Sequence, residues 1–139
     1  MQKPYEMLNH TADVGLKASG DTLAEAFENA ATGMFSFICD LETVDSRAAV
    51  DVYVEAEDKE TLLVEWLNEL LYLFEVDHWI FKRFEIKETD GEHYLKAKAY
   101  GEELDLGKHQ LKIQIKAATY HMLKVERDDK WVAQVIFDV

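Results

Sequence analysis

Polar residues at the two ends of the chain have the types that bind hard metal ions. Asn9-His10-Thr11-Ala12-Asp13 directly precedes an apolar, strand-like run, and segment 131–139 keeps a strand pattern up to its last residue. Chain ends usually fray unless a sheet holds them. If the first and last strands are neighbours, the carboxylates of Asp13, Asp138 and the chain end at Val139 converge. Three such carboxylates repel one another unless a cation or protons neutralise them. Their hard oxygen ligands suit Ca²⁺ or Mg²⁺, so the sequence predicts a site for one of these ions.

Histidines accompany these carboxylates, but no complete catalytic motif is visible. His10 lies three residues before Asp13, and His121 follows Thr119-Tyr120. A hydrogen-bonded structural histidine is the ordinary alternative at each position. The chain has no zinc spacing such as HExxH, no glycine-rich phosphate loop and no GxSxG or Cys-His pattern. The residues by themselves therefore show no complete catalytic constellation.

Composition narrows the class of protein and of partner. The 139 residues suit a single domain, 1–139, and 48% of them are hydrophobic, as in a protein with a packed core. The lone Cys39 has no internal disulfide partner, and no segment is typical of a membrane span or signal peptide, so a cytoplasmic protein is expected. The formal charge of -13 disfavours direct, tight binding of nucleic acid and favours cations or a basic protein surface.

Two amphipathic helices are expected. Thr22 with Glu25 forms a capping box, and apolar residues recur at helical spacing as far as Ile38. Asp58 is a cap for a second helix whose apolar stripe ends near Phe74. Asn68 falls on the opposite, polar side of that helix.

The rest of the chain is rich in strand patterns. Asp90-Gly91 is a strong hairpin turn signal between two alternating runs. Strands are predicted at 14–19, 50–55, 80–87, 94–100, 112–116 with an extension over 118–125, and 131–139. The order of elements predicts an α+β fold. We expect a mostly antiparallel sheet of about seven strands, with both helices on one face.

Four blocks taken together resemble the archease family. They are Tyr5-Glu6-Met7-Leu8-Asn9-His10-Thr11-Ala12-Asp13-Val14-Gly15, Glu65-Trp66-Leu67-Asn68-Glu69-Leu70-Leu71, Lys116-Ala117-Ala118-Thr119-Tyr120-His121 and Val135-Ile136-Phe137-Asp138-Val139. The blocks span nearly the whole chain. The combination of His-Thr-Ala-Asp, Lys-Ala-x-Thr-Tyr-His and a final Asp-Val is specific to that family.

The resemblance implies a protein cofactor of the RtcB-type RNA ligase that seals tRNA halves during tRNA splicing. Such a cofactor promotes guanylylation of the ligase, allows multiple turnover and broadens the use of nucleotides. The family's calcium site corresponds to Asp13, Asp138 and Val139. Supporting or partner-contacting roles fall on residues of the matched blocks, namely His10, Thr11, Lys116, Thr119 and His121.

The sequence also permits two other classes of function. Asp13 and Asp138 are also suited to a metal-dependent hydrolase that activates water. A chaperone-like binding module is the third reading, and it requires a sizeable exposed apolar patch. The metal itself has two alternative roles, either to tie the chain ends together or to help place an ion or nucleotide in the ligase.

Overall fold

The computed structural model describes residues 4–9 and 13–139. These residues form two α-helices, a short 3-10 helix and eight β-strands. In chain order the helices and strands are β1 (Tyr5–Asn9), β2 (Val14–Gly20), α1 (Leu23–Ile38), β3 (Ala48–Glu55), α2 (Lys59–Glu75), β4 (Trp79–Thr89), β5 (Tyr94–Glu103), β6 (Ala117–Ala118), β7 (Lys124–Arg127) and β8 (Trp131–Asp138).

The strands lie in two antiparallel sheets. A five-stranded sheet has the order β1-β2-β8-β6, with β7 also paired to β8, and a three-stranded sheet has the order β3-β5-β4. The α+β prediction is confirmed. The strands form two sheets instead of the single sheet expected, and α1 contacts strands of both.

Helix α1 begins where the capping box predicts. The Glu25 N–H donates to Thr22 Oγ1 at 3.0 Å, which satisfies one of the N–H groups that a first turn leaves unpaired. The apolar stripe is buried. The ring of Phe35 packs against those of Phe81 and Phe84 on β4, with a distance of 5.6 Å between centroids in each pair. The helix therefore covers the three-stranded sheet as well as β2.

Helix α2 also follows its local signals. The Thr61 N–H donates to Asp58 Oδ1 at 2.7 Å, and the stripe around the fully buried Trp66 faces the core. Trp66 Nε1 donates to the main-chain oxygen of Phe27 at 3.0 Å, which joins the two helices. Since a buried indole N–H needs an acceptor, this bond fixes where α2 sits against α1.

Two strand predictions need correction. The alternating run 112–116 is not a strand, and its first two residues bond to the last turn of α1 instead. The N–H groups of Lys112 and Ile113 donate to the oxygens of Ile38 and Phe37 at 2.8 and 3.1 Å. These are carbonyls that a helix end leaves unpaired. The expected extension 118–125 is likewise interrupted by a turn and gives only the two-residue β6 and the four-residue β7.

The strand β1 was not predicted. Its five residues pair with β2 from Tyr5 opposite Ala18 to Asn9 opposite Val14. This pairing makes β2 an interior strand, with β1 on one side and β8 on the other. Among the residues described, no helix has the length and apolar character needed to cross a bilayer.

Candidate functional site

The pairing of β2 with β8 brings two of the predicted carboxylates to neighbouring positions. Val14 is opposite Phe137 in this antiparallel pair. Asp13 directly precedes β2, and Asp138 is the last residue of β8. If the register continued by one residue, their Cα atoms would lie ~5 Å apart. Val139 follows Asp138 directly.

Gly15 explains how β2 fits between its neighbours at this edge. A Cβ atom at Gly15 would lie 2.9 Å from both Leu8 Cβ and Ile136 Cδ1. A glycine here lets the side chains of β1 and β8 close over β2. The tight packing fixes the part of β2 from which Asp13 extends.

Strand β6 covers the other side of β8 and adds two more predicted residues. Ala117 is opposite Asp138, and the Lys116 N–H donates to the Asp138 main-chain oxygen at 2.8 Å. Thr119 donates to the Ile136 oxygen twice, from its N–H at 3.0 Å and from Oγ1 at 2.8 Å. Lys116 and Thr119 therefore belong to the same edge as Asp138.

A short turn follows β6. The exposed His121 donates its N–H to Thr119 Oγ1 at 3.3 Å, so the turn starts from the same threonine that bonds to β8. Met122 has a φ of 53°, a conformation that residues other than glycine rarely adopt, and its oxygen accepts from Gln134 Nε2 at 3.0 Å. His10 and Thr11 lie outside the described residues.

Asn68 is a residue whose position the sequence did not reveal. Instead of lying on an outer polar face, it is half-buried where α2 contacts β6. The Ala118 N–H donates to Asn68 Oδ1 at 2.8 Å, and Asn68 Nδ2 donates to the Ala118 oxygen at 3.4 Å. Nothing in the local helical pattern marks a partner fifty residues away.

The donor set at this edge fits a hard cation. Carboxylate oxygens are the ligands that Ca²⁺ and Mg²⁺ prefer. Among the described residues there is no cluster of three or more His, Cys, Asp or Glu side chains that could hold a metal. A site here would therefore combine the two carboxylate side chains of Asp13 and Asp138 with the terminal carboxylate of Val139, and water would complete the coordination.

Comparison with known proteins gives the family. Residues 5–139 match the Archease protein family. The chain belongs to the archease family. It is 48% identical to Protein archease of Methanosarcina acetivorans, over 99% of this chain and 97% of that one. It is 42% identical to Protein archease of Pyrococcus furiosus, over 99% of both chains.

Solved structures agree with this assignment. The solution structure of protein 1598 of Methanobacterium thermoautotrophicum is 36% identical and superposes with a TM-score of 0.86, covering 99% of this chain and 100% of that one. The crystal structure of an archease from Thermotoga maritima, described as a possible chaperone, is 26% identical with a TM-score of 0.63, and the match covers 100% of this chain and 98% of that one. The archease fold thus extends over the whole described chain.

This archease also has a second polar cluster, which the sequence did not reveal. The buried Glu102 accepts from Lys108 Nζ at 2.8 Å and from the Asp45 N–H at 2.8 Å, and it lies 2.9 Å from His109 Nε2. The Asp105 N–H donates to His109 Nδ1 at 3.0 Å, so Nε2 carries the proton that His109 donates to Glu102. Burial alone would raise the pKa of Glu102, but these hydrogen bonds outweigh it and lower the pKa to about 2.

The Glu102 cluster links two loops through hydrogen bonds and ion pairs. It joins the segment after β5 to the segment before β3, and Arg47 Nε adds a contact of 3.3 Å to Glu102 Oε1. A concavity of about 840 Å³ lies beside it, lined by Trp79 and Leu106 among others, and none of the predicted site residues lines it. The internal pairing of these charges indicates a structural role.

Proposed function

We propose that this archease is a protein cofactor of an RtcB-type tRNA-splicing RNA ligase. It promotes guanylylation of the ligase, allows multiple turnover and broadens the use of nucleotides. The observation that carries the proposal is the family match over residues 5–139, which includes the blocks at both ends of the chain. The pairing of β2 with β8, which puts Asp13 and Asp138 at the same end of the two strands, supports a role for those blocks as one site.

The site would act through a bound divalent ion, calcium in the first place. Asp13, Asp138 and the carboxylate of Val139 would hold the ion. When bound, the ion supplies positive charge that offsets the repulsion among these groups. It also adds a fixed charge at this end of β2 and β8, which we propose faces the ligase. Lys116 and His121 are exposed beside this edge, and we assign to them contacts with the ligase or its nucleotide.

The chemistry of the described side chains favours a cofactor over an enzyme. Cys39 is fully buried beneath the surface, where a substrate does not reach its thiol. His109 is buried as well, with both ring nitrogens engaged by Glu102 and the Asp105 N–H. The acidic charge of -13 is compatible with RNA being bound by the partner and not by this chain.

The proposal is tested with the cognate ligase. Under conditions where that ligase stalls after one round, adding this protein with GTP and a divalent metal should raise the yield of ligase–guanylate and restore multiple turnover. The protein alone should join no RNA. A cognate ligase that turns over no better in its presence would overturn the proposal.

Two further assays distinguish this proposal from the alternative functions, a hydrolase and a chaperone. Turnover of a phosphodiester by the isolated protein would point to a metal-dependent hydrolase. The Thermotoga maritima archease is described as a possible chaperone. Large apolar side chains such as Leu106, Tyr72 and Tyr120 are exposed in this protein, although on different elements. Suppression of aggregation of unrelated unfolded clients, without ligase activation, would favour that reading.

A further inference from the structure

The shortest strand beside the candidate site has an unusual partner on its outer edge. Strand β6 has two residues, Ala117 and Ala118, and it pairs with the end of β8 on one side only. On the other side there is the side chain of Asn68 on α2, which bonds to both main-chain polar groups of Ala118. A side-chain amide has one donor and one acceptor side by side, so it can replace a residue of a neighbouring strand.

This replacement matters because a two-residue strand has little stability of its own. The segment before β6 is not a strand, and the segment after it is a turn. Lys116 and Thr119 bond to β8, whereas Ala118 between them bonds to Asn68. Without Asn68, the two polar groups of Ala118 would lose these partners.

The position of Asn68 is fixed by the core. Its neighbours Trp66 and Leu67 are fully buried, so this turn of α2 is anchored against the rest of the molecule. The anchoring passes from α2 through Asn68 to Ala118, and from β6 to Phe137 and Asp138 on β8. A terminal strand that would otherwise fray is thus held on the side opposite to β2.

We propose that Asn68 is a positioning residue of the site. Its amide holds β6 in place, and β6 holds Asp138 and the chain end in the geometry needed for cation binding and for activation of the ligase. The inference rests on the function proposed above. It assigns to Asn68 no contact with the cation or with the ligase.

The test compares two asparagines in the full chain. Asn29 is also half-buried on a helix and donates from Nδ2 to the Ser19 oxygen at 2.7 Å. Ser19 lies near the end of β2 remote from Val14. Asn68→Leu and Asn29→Leu are prepared, and their thermal unfolding is recorded. CaCl₂ is then titrated against the folded proteins, with main-chain amide signals as the readout, and stimulation of the cognate ligase is measured.

Both variants should unfold at a lower temperature than the wild type. Only Asn68→Leu should raise the midpoint of the calcium titration, by about tenfold or more, and increase hydrogen exchange at the Lys116 and Thr119 amides. Its ligase stimulation should recover when calcium is raised above the new midpoint. A purely structural role would lower the unfolding temperature and leave the midpoint of the folded protein unchanged.

Each result decides between the two proposals. Equal calcium midpoints for the two variants would overturn the role of Asn68 and leave the proposed function standing. A wild-type protein that neither binds calcium nor stimulates the ligase would overturn the proposed function and the role of Asn68 with it. If Asn68→Leu does not fold, Asn68→Asp is used. It keeps the acceptor for the Ala118 N–H and places a carboxylate oxygen against the Ala118 oxygen, and an unchanged midpoint in that variant would equally overturn the inference.

Discussion

At the scale of single residues, the carboxylates at the two chain ends are the most informative groups. Asp13 and Asp21 flank the two ends of the same strand, β2, so they form a matched pair. In Asp13→Asn the calcium affinity should fall by at least about tenfold, because one of three anionic ligands is lost. Saturating calcium should raise the unfolding temperature of the wild type by a few °C, and this shift should also disappear. Calorimetry with and without CaCl₂ measures both effects. Asp21→Asn is the control, and an equal loss in that variant would show that the response reflects net charge alone.

The Glu102 carboxyl makes a second prediction at this scale, on acid stability. Its pKa is lowered from 4.5 to about 2 in the folded protein, chiefly by the hydrogen bond from Lys108 against the opposing effect of burial. A group with a depressed folded pKa stabilises the protein above its unfolded pKa, and this contribution is lost as the pH falls towards the folded value. The free energy of unfolding should therefore decline between about pH 4.5 and pH 2, and less steeply in Glu102→Gln. Urea denaturation across this range is the measurement. The exposed neighbour variant Glu103→Gln should keep the wild-type slope, and parallel curves for Glu102→Gln and wild type would contradict the assignment.

At the scale of elements, β8 ends the chain and carries part of the site. Deleting Val139 moves the terminal carboxylate back by one residue while the Asp138 side chain remains. Val139 is 38% exposed, so the lost packing costs only about 1–2 kcal/mol and the protein should stay folded. Calcium binding and ligase activation should both be lost, because the third carboxylate no longer stands beyond Asp138. Val139→Ala keeps the carboxylate and trims the side chain, so it should retain both properties. Full activation by the truncated protein would show that the terminus serves only packing.

At the scale of the whole molecule, the charge of -13 governs encounters with a partner. If the ligase presents a basic surface, opposite charges steer the two proteins together, and salt screens this attraction. The association rate should fall by roughly tenfold between low and moderately high salt, while the dissociation rate changes much less. Stopped-flow mixing of the labelled proteins at several NaCl concentrations gives both rates. A salt-independent association rate would mean that the ligase surface is not basic.

The sequence alone determined the helices and the fold class. The caps at Thr22 and Asp58 and the apolar stripes are local signals, since a helix is stabilised by hydrogen bonds between near neighbours and buries one continuous face. The hairpin of β4 and β5 also follows from local turn chemistry around Asp90-Gly91. The residues of the candidate site could be named from the sequence, because their types and their positions near the two chain ends indicated them. The metal site itself stays a prediction.

Only the tertiary structure decided which strands pair. An alternating pattern shows that a segment fits a half-buried surface, but it does not name the partner, and partners in this protein are as far apart as Val14 and Phe137. For the same reason the alternating run 112–116 is typical of a strand, although the N–H groups of Lys112 and Ile113 bond to the end of α1 and that of Lys116 bonds to β8. The structural roles of Asn68 and Glu102 could not be predicted from the sequence for a related reason, because their hydrogen-bond partners come from distant parts of the chain. Local periodicity reports which face of an element is buried, and only the folded chain reports what lies against that face.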